Sequence, residues 1–240
     1  EKQFHNINTK EECSIYIIEG LPNVLPSFKE TLSEITRTYL TEMGVQVLTS
    51  SIVTDIQNDT VFYKTGDQNK KIEAKTILWG AGVMASVMGK IISEATGAEL
   101  DKVGRVIVNK DFTVADHDNI FVIGDLARFK EGNDYLPGVA TVAMQSGQFV
   151  AKLIKKRESG STNYQKEFKY KNKGNLAVIG RNKAVADLGF MTAKGFIAWL
   201  LWIFIHILYL IGFGSKVSVI TKWALSYFNQ DKGNRLIFTK

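Results

Sequence analysis

The sequence predicts an α/β protein whose last segment differs in character from the rest. Short apolar strands alternate with helical patterns, first over residues 14–19, 28–43 and 45–48, which is the order of a βαβ unit. Residues 195–214 are almost wholly apolar and rich in aromatic side chains. We therefore expect a Rossmann-like α/β region followed by a separate apolar, helical region.

Composition sets the broad class. The chain has 240 residues, of which 45% are hydrophobic and 22% charged, so it is long enough for one large or two modest domains with a real core. The net charge is +6, but lysines and arginines are spread along the chain except near residues 152–157 and 166–173. This argues against a nucleic-acid-binding tract. An excess of positive charge beside an apolar segment favours contact with anionic lipid head groups. A basic surface that is merely solvated is the alternative.

Cysteine and histidine usage points away from two kinds of site. Cys13 is the only cysteine, so the sequence does not support a disulfide framework or a dithiol redox pair. The three histidines, His5, His117 and His206, lack the spacing of metal ligands. No metal site is expected.

The first strand ends in an acid. Residues 14–19 form an apolar run that closes with Glu19, a helix is predicted over residues 28–43, and residues 45–48 form the next strand. Dinucleotide folds place an acid at such a strand end to bind a ribose diol. Glu19 is therefore a candidate ribose ligand, and a solvated acid without such a role is the alternative. An antiparallel ribbon is then predicted over residues 52–56, 60–64 and 71–74.

A glycine pair follows the next apolar stretch. Residues 76–79 are predicted as a strand that runs into Gly80-Ala-Gly-Val-Met-Ala85, which satisfies the G-x-G-x-x-A pattern. Two glycines interrupt residues 86–98, which makes them a poor phosphate-binding helix. We favour a crossover, in which the chain leaves one nucleotide-binding domain for another and Gly80 and Gly82 allow the backbone close to a cofactor. A phosphate loop is the alternative.

The most specific pattern is an aspartate after a buried strand. Strands are predicted over residues 105–108 and 119–123, and the second ends at Gly124-Asp125. Such an aspartate suits hydrogen bonding to a ribityl or ribose hydroxyl beside a pyrophosphate. The helix predicted over residues 140–155 begins without an acid, so its N–H groups and positive dipole end suit a flavin carbonyl. A purely structural turn and helix is the alternative.

The last region begins after a break at residues 158–163. Strands are predicted over residues 168–170 and 176–179. Residues 195–214 are long enough to span most of a hydrocarbon core, yet one stripe carries interface-seeking rings: Trp199, Trp202, His206 and Tyr209. This stripe favours a helix in the head-group region, and residues 217–228 predict a second amphipathic, basic helix. A membrane span and a buried soluble helix are the alternatives.

These motifs together resemble the pyridine nucleotide-disulfide oxidoreductase superfamily, and within it the type II NADH:quinone oxidoreductases. Leu78-Trp-Gly-Ala-Gly-Val83 resembles the family's domain-crossing motif, and Phe121-Val-Ile-Gly-Asp125 resembles its second flavin motif. The aromatic helices of the last region distinguish this family from soluble disulfide reductases.

The resemblance implies two nucleotide-binding domains, bound FAD and NADH, and electron transfer to a membrane quinone without proton pumping. It implies part of an NADH-binding domain over residues 1–79, part of an FAD-binding domain over 80–157, and a membrane-association domain over 158–240. The implied partners are membrane lipid and quinone, with a second copy of the chain as a further candidate and no nucleic acid. The implied location is peripheral, on the cytoplasmic face of the cell membrane.

The resemblance also assigns site residues. The cofactor-binding residues would be Glu19, Gly80, Gly82, Gly124, Asp125, Ala143, Met144 and Gln145. The catalytic residues, acting at the quinone, would be Gln145 and Lys183, with Arg181 as the alternative source of positive charge near the quinone. The family often carries a glutamine where this chain has Thr141, so within this helix the quinone role is carried over to Gln145.

Two alternatives to this function stay open. The sequence has no counterpart of the family's upstream glycine loops, so we expect the chain to begin inside a longer one and not to retain FAD if it begins at Glu1. A soluble flavin-dependent disulfide or other reductase is one alternative. An inactive, truncated, membrane-associated remnant is the other.

Overall fold

The computed structural model describes residues 13–161 and 167–229. The chain divides into two compact units: the first comprises Glu1–Ile77 and Gly174–Lys240, and the second comprises Leu78–Lys173. The chain therefore leaves the first unit just before Gly80, where the crossover interpretation puts the change. The three functional domains assigned from the sequence, with boundaries after residues 79 and 157, remain proposals.

The first unit begins with a βαβ element, as predicted. β1 (Ile15–Ile18) pairs in parallel with β2 (Val45–Leu48), and α1 (Glu30–Glu42) connects them. Two parallel strands require such a crossover because a tight hairpin can join only antiparallel strands. The predicted antiparallel ribbon also forms, with strands β3 (Ser51–Gln57), β4 (Thr60–Thr65) and β5 (Gln68–Glu73).

The predicted strand over residues 76–79 is wrong. The backbone there forms no strand, and the side chains of Leu78 and Trp79 are 92% and 61% exposed. An apolar run becomes a strand only when a neighbouring strand pairs with its backbone groups, and no described strand lies beside this one. The segment is instead an open connection into the second unit.

Two glycines that looked like helix breakers support a helix. α2 (Met88–Thr96) is capped by Gly97 at φ 75°, the left-handed conformation that glycine adopts without strain. A Cβ atom on Gly89 would lie 2.2 Å from the carbonyl oxygen of Gly104, so only glycine permits this contact. The interpretation of these glycines as interruptions is therefore wrong.

Short strands and one long helix complete the second unit. β6 (Val106–Ile107) pairs in parallel with β9 (Ala127–Arg128), β7 (Thr113–Val114) pairs with β8 (His117–Phe121), and β10 (Lys130–Glu131) pairs with β11 (Asp134–Tyr135). α3 (Ala140–Glu158) follows, confirming the predicted helix. One core cluster packs four aromatic and aliphatic side chains: Phe112, Phe129, Val150 and Phe168.

The chain then returns to the first unit as a three-stranded antiparallel sheet. Its strands are β12 (Asn175–Gly180), β13 (Lys183–Asp187) and β14 (Thr192–Lys194). The strand predicted over residues 176–179 is confirmed, whereas the one over 168–170 is wrong, because that segment pairs with no strand.

Both helices predicted for the last region form, but the first ends sooner and the second begins earlier than the sequence indicated. α4 (Gly195–Tyr209) ends where Leu210 becomes extended, Gly212 adopts φ 84°, and α5 (Phe213–Asn229) begins. Fifteen residues reach about 22 Å at the rise of an α-helix, less than the roughly 30 Å of a hydrocarbon core. Over the described part of the chain, no helix has the length and apolarity needed to cross a membrane.

Candidate functional site

The Gly124-Asp125 turn lies beyond β8 in the second unit. Gly124 adopts φ 69° and begins a short 3₁₀ turn that carries the exposed carboxylate of Asp125. A Cβ atom on Gly138 would lie 3.6 Å from Oδ1 of Asp125. The missing side chain at Gly138 therefore leaves this carboxylate open on the side that a Cβ would cover.

α3 begins beside this turn. Its N-cap, Val139, has extended backbone and no capping side chain, and the first turn holds no acid. The N–H groups of Val142 and Ala143 donate to the carbonyl of Val139 at 3.0 and 3.1 Å. No side chain accepts a capping hydrogen bond from the first N–H groups of the helix. Uncapped amides and a positive dipole end together favour an electron-rich ligand.

Gln145 lies in the second turn of α3 and forms two hydrogen bonds with the backbone of one residue. Its Nε2 donates to the carbonyl of Lys171 at 3.0 Å, and its Oε1 accepts from the N–H of Lys171 at 3.0 Å. Of its two neighbours in the predicted site, Ala143 is half-buried and Met144 is 39% exposed. Gln145 therefore fixes the segment around Lys171 to the helix.

Residues that sequence reasoning missed complete this attachment. The hydroxyls of Thr141 and Tyr170 lie 2.8 Å apart, and the N–H of Tyr170 donates to Oε1 of Glu131 at 2.8 Å. Thr141 stands where the resembling family often has glutamine, which was the only signal in the sequence. Helix α3 and β10 thus hold residues 170 and 171 by side chains rather than by strand pairing.

Glu19 lies at the carboxyl end of β1, as predicted. Its N–H donates to the carbonyl of Leu48 at 2.8 Å, which extends the parallel pairing by one residue. Its Oε1 accepts from the N–H of Leu21 at 2.9 Å. The side chain is half-buried, so one carboxylate oxygen organises the following loop while the group keeps contact with solvent.

Gly80 and Gly82 lie on the open connection at the start of the second unit. A Cβ atom on either would meet nothing within 4 Å, and Gly82 adopts φ 68°. The connection is anchored at Ala85, whose N–H donates to the carbonyl of Val103 at 2.8 Å. The backbone at both glycines is therefore accessible to a ligand.

Asp101 holds the loop to which Ala85 is anchored. Its carboxylate accepts the N–H groups of Val103 and Arg105 at 3.0 and 2.9 Å and pairs with the guanidinium of Arg105 at 2.7 Å. Burial pushes the pKa of Asp101 upward, but these bonds outweigh burial and hold the pKa below its usual value.

Lys183 belongs to the other unit. Its Nζ lies 2.5 Å from Oε2 of Glu42 at the end of α1 and 5.2 Å from the centre of the Tyr39 ring. Each candidate catalytic residue is therefore described within its own unit, Gln145 in the second and Lys183 in the first. In both, the polar group is already held by a protein partner.

Two rings of the aromatic stripe of α4 contact rings of α5, and the predicted place of the stripe in the head-group region stays a prediction. Trp199 lies 5.5 Å from Tyr227, and Trp202 stacks on Trp223 at 5.6 Å, between ring centres. Apolar side chains on these helices and on the turn between them are exposed: Phe196, Ile197, Leu200, Phe204, Leu208, Ile211, Phe213, Val217, Ile220 and Leu225. Large exposed apolar surfaces are typical of protein or membrane interaction sites.

Comparison with known proteins bears on both units. The family model of the pyridine nucleotide-disulphide oxidoreductases matches residues 4–147, well over half of the chain. The chain belongs to this family. A second family model, the NDH2 C-terminal domain, matches residues 172–230 of this pyridine nucleotide-disulphide oxidoreductase, the stretch that holds β12 to β14 and both aromatic helices.

Similar proteins agree with that assignment. The type II NADH:quinone oxidoreductases NdhA and Ndh of Mycobacterium tuberculosis are 36% and 35% identical, over 95% and 98% of this chain. The chain covers 49% and 50% of those proteins, so it spans about half of their length. The solved structure of NDH2 from Plasmodium falciparum in complex with NADH has the same fold, with a TM-score of 0.80 at 18% identity over 94% of this chain and 59% of that one.

Proposed function

We propose that this chain is part of an FAD-dependent enzyme that passes electrons from NADH to a membrane quinone without pumping protons. The observation that carries the proposal is the joint match of residues 4–147 and 172–230 to the two family models. The second match covers the aromatic helices, which a soluble disulfide reductase does not need.

The residues of the second unit fit a flavin. Asp125 offers an open carboxylate to a ribityl or ribose hydroxyl, and Gly138 leaves space beside that carboxylate. The uncapped, acid-free start of α3 favours a carbonyl that gains negative charge. Bound FAD supplies the hydride acceptor that connects a two-electron nicotinamide donor with a quinone.

Two further elements are proposed to bind NADH and the flavin edge. The half-buried carboxylate of Glu19 is assigned to the ribose diol of NADH, for which its position at the end of β1 is suited. The open backbone at Gly80 and Gly82 is assigned to close approach of a cofactor. Ala143 and Met144, on the helix after the Gly124-Asp125 turn, are assigned to the flavin ring.

Gln145 and Lys183 are proposed to act on the quinone. A glutamine amide has two N–H donors and two oxygen lone pairs, so one of each remains on Gln145 after its two bonds to Lys171. These can orient a quinone carbonyl. The Lys183 ammonium, steadied by Glu42, would supply positive charge to a quinone as it takes up electrons.

The same proposal places the protein on the cytoplasmic face of the cell membrane as a peripheral protein. The exposed apolar side chains of α4 and α5 suit burial at the level of the head groups and upper acyl chains. Membrane lipid and quinone are the proposed partners, and a homodimer is a further proposed state.

The test uses the complete reading frame that contains this chain, purified in neutral detergent. We expect flavin absorbance, and NADH oxidation that depends on an added short-chain quinone. Gly124→Ala and Gly132→Ala form a matched pair, because both sites have positive φ, 69° and 62°, and each should cost about 1–2 kcal/mol.

Only Gly124→Ala should also remove flavin, because it displaces the Asp125 turn. Equal flavin content in the two variants would refute the assigned flavin site. NADH oxidation that requires a disulfide instead of a quinone would support a soluble-reductase function, and an immediate stop upstream of residue 1 in the coding DNA would leave the inactive remnant.

A further inference from the structure

The first unit contains a large cavity that none of the residues assigned to a cofactor or quinone under the proposed function lines. Its volume is about 820 Å³, within the range of roughly 300–1,000 Å³ typical of small-molecule sites. It lies between the β12–β13 hairpin and the two aromatic helices. Its walls are mostly apolar: Val178, Trp199, Trp202, Ile203, Ile207, Ile220, Trp223 and Ala224.

Arg181 is the one charged side chain among the residues that line this cavity. The guanidinium stacks over the Tyr227 ring, 4.1 Å from its centre, and donates to the Tyr227 carbonyl at 2.6 Å. Arg181 and Tyr227 both line the cavity. A guanidinium presents five N–H donors, so this bond leaves donors for a ligand.

Arg181 forms no ion pair within residues 13–161 and 167–229. Arg105, Arg128 and Arg157 each pair with an aspartate. An arginine in the lining of an apolar cavity favours an anionic group, which it can bind with paired hydrogen bonds.

The chain segment that lines the cavity carries mainly positive charge. Residues 174–229 contain one carboxylate, Asp187, which pairs with Lys29 at 3.3 Å. They contain five cationic side chains, of which Lys183 pairs with Glu42: Arg181, Lys183, Lys194, Lys216 and Lys222. An anionic ligand is therefore favoured over a cationic or zwitterionic one.

We propose that this cavity binds the acyl chain of an anionic amphiphile, with its carboxylate or phosphate on Arg181. The tryptophan and isoleucine walls suit a hydrocarbon chain, and the single guanidinium suits one negative head group. The proposal rests on the proposed membrane association for the origin of the ligand. A free fatty acid and an anionic phospholipid share the required chemistry.

The test measures binding of cis-parinaric acid, a fluorescent fatty acid, to the complete protein in neutral detergent. Energy transfer from the cavity tryptophans reports occupancy. Arg181→Gln should weaken binding about tenfold, the loss expected for a hydrogen bond between charged groups, and Arg181→Lys should restore part of it. Lys222→Gln removes one positive charge from α5, outside the cavity lining, and should change binding less than about twofold, because an exposed charge contributes little.

Two further measurements keep the proposal falsifiable. Ala224→Phe should fill the cavity and reduce binding of both the fatty acid and its uncharged alcohol, whereas Arg181→Gln should affect the acid alone. Competition by oleate or by lysophosphatidylglycerol identifies the natural source, and lysophosphatidylcholine should compete poorly. Equal effects of Arg181→Gln and Lys222→Gln would overturn the proposal, as would displacement by a short-chain quinone but not by oleate.

Flavin content and quinone reduction are measured on the same preparations. A protein that holds no flavin and reduces no quinone but still binds parinarate would refute the proposed enzyme function and leave the cavity assignment standing. A protein that holds flavin and reduces quinone but does not bind parinarate would refute the cavity assignment alone.

Discussion

At the scale of single residues, Gln145 joins a helix to a segment 26 residues away. Both of its hydrogen bonds go to Lys171, while Thr141 holds the neighbouring Tyr170. The two anchors secure the same segment, but only Gln145 has been assigned to the quinone. A comparison of the two therefore separates a structural from a kinetic role.

We expect Gln145→Ala to lower the free energy of unfolding by about 1–2 kcal/mol, because two hydrogen bonds are lost. Thr141→Val, which loses one, should cost about 1 kcal/mol. Urea unfolding measures both. If Gln145 contacts the quinone, its variant should raise the KM for quinone well beyond the effect of Thr141→Val, and equal KM values would remove Gln145 from the quinone site.

Asp101 should make stability depend on acid. Its pKa is lowered in the folded protein, so its contribution is complete above the unfolded-state pKa of about 3.9. That contribution is lost as the pH falls further through the lower folded-state pKa. The side chain is only 15% exposed, which limits screening by solvent.

Asp101→Asn should destabilise the protein at neutral pH by about 2 kcal/mol, because an ionic hydrogen-bond network is lost. The difference in the free energy of unfolding between the variant and the unmodified protein should shrink below about pH 4, where the unmodified carboxylate also takes up a proton. Urea unfolding across this range measures the effect. A difference that stays constant down to the acid limit would contradict the assignment.

At the scale of elements, α1 is fastened to β13 at both ends. Lys29, just before the helix, pairs with Asp187 at 3.3 Å, and Glu42 at its end pairs with Lys183 at 2.5 Å. The N–H of Gly189, and then the Lys29 ammonium, lower the pKa of Asp187. A helix of the βαβ element is thereby held to the sheet that carries the aromatic helices.

A double-mutant cycle on Glu42 and Lys183 separates this fastening from catalysis. The pair is partly exposed, so we expect a coupling of only about 0.5–1 kcal/mol between Glu42→Ala and Lys183→Ala in unfolding experiments. If Lys183 acts on the quinone, Lys183→Ala should lower kcat with quinone more than Glu42→Ala does. Equal kcat values would show that Lys183 serves the ion pair alone.

The elements that the sequence predicts are those with a local signal. The strand pair β1–β2 and its helix follow from apolar periodicity within about 35 residues. β13 was missed because its Ala184-Val185-Ala186 core is short and made of small residues, and its strand state depends on pairing with β12 and β14. The opposite error occurs at residues 76–79, where the composition suits a strand but none of the described strands lies alongside to pair with it.

The candidate site combines local patterns, which the sequence indicates, with contacts between distant residues, which it does not indicate. Gly124-Asp125 and the acid-free start of α3 are contiguous patterns, and the sequence indicates both. The bonds from Gln145 to Lys171 and from Thr141 to Tyr170 span 26 and 29 residues. No local pattern encodes such contacts, because they depend on where the aromatic core around Phe168 holds the chain.

At the scale of the whole molecule, an excess of positive charge and exposed apolar side chains occur in the same stretch, residues 172–229. α4 and α5 expose large apolar side chains, and residues 172–229 carry six cationic groups against Asp187. An interfacial helix gains both from apolar burial and from anionic lipid. Binding to vesicles should therefore rise with anionic lipid content and fall with salt.

Ile211 tests this surface against a matched control in the second unit. Ile211 and Leu78 are each 92% exposed, so an aspartate at either position should leave folding nearly unchanged. Burial of one aliphatic side chain is worth about 1.5–3 kcal/mol, and an aspartate adds repulsion from anionic lipid. Ile211→Asp should thus weaken sedimentation with phosphatidylglycerol vesicles by about tenfold or more, while Leu78→Asp binds as before. Equal weakening by both variants would mean that membrane contact is not confined to the helix pair.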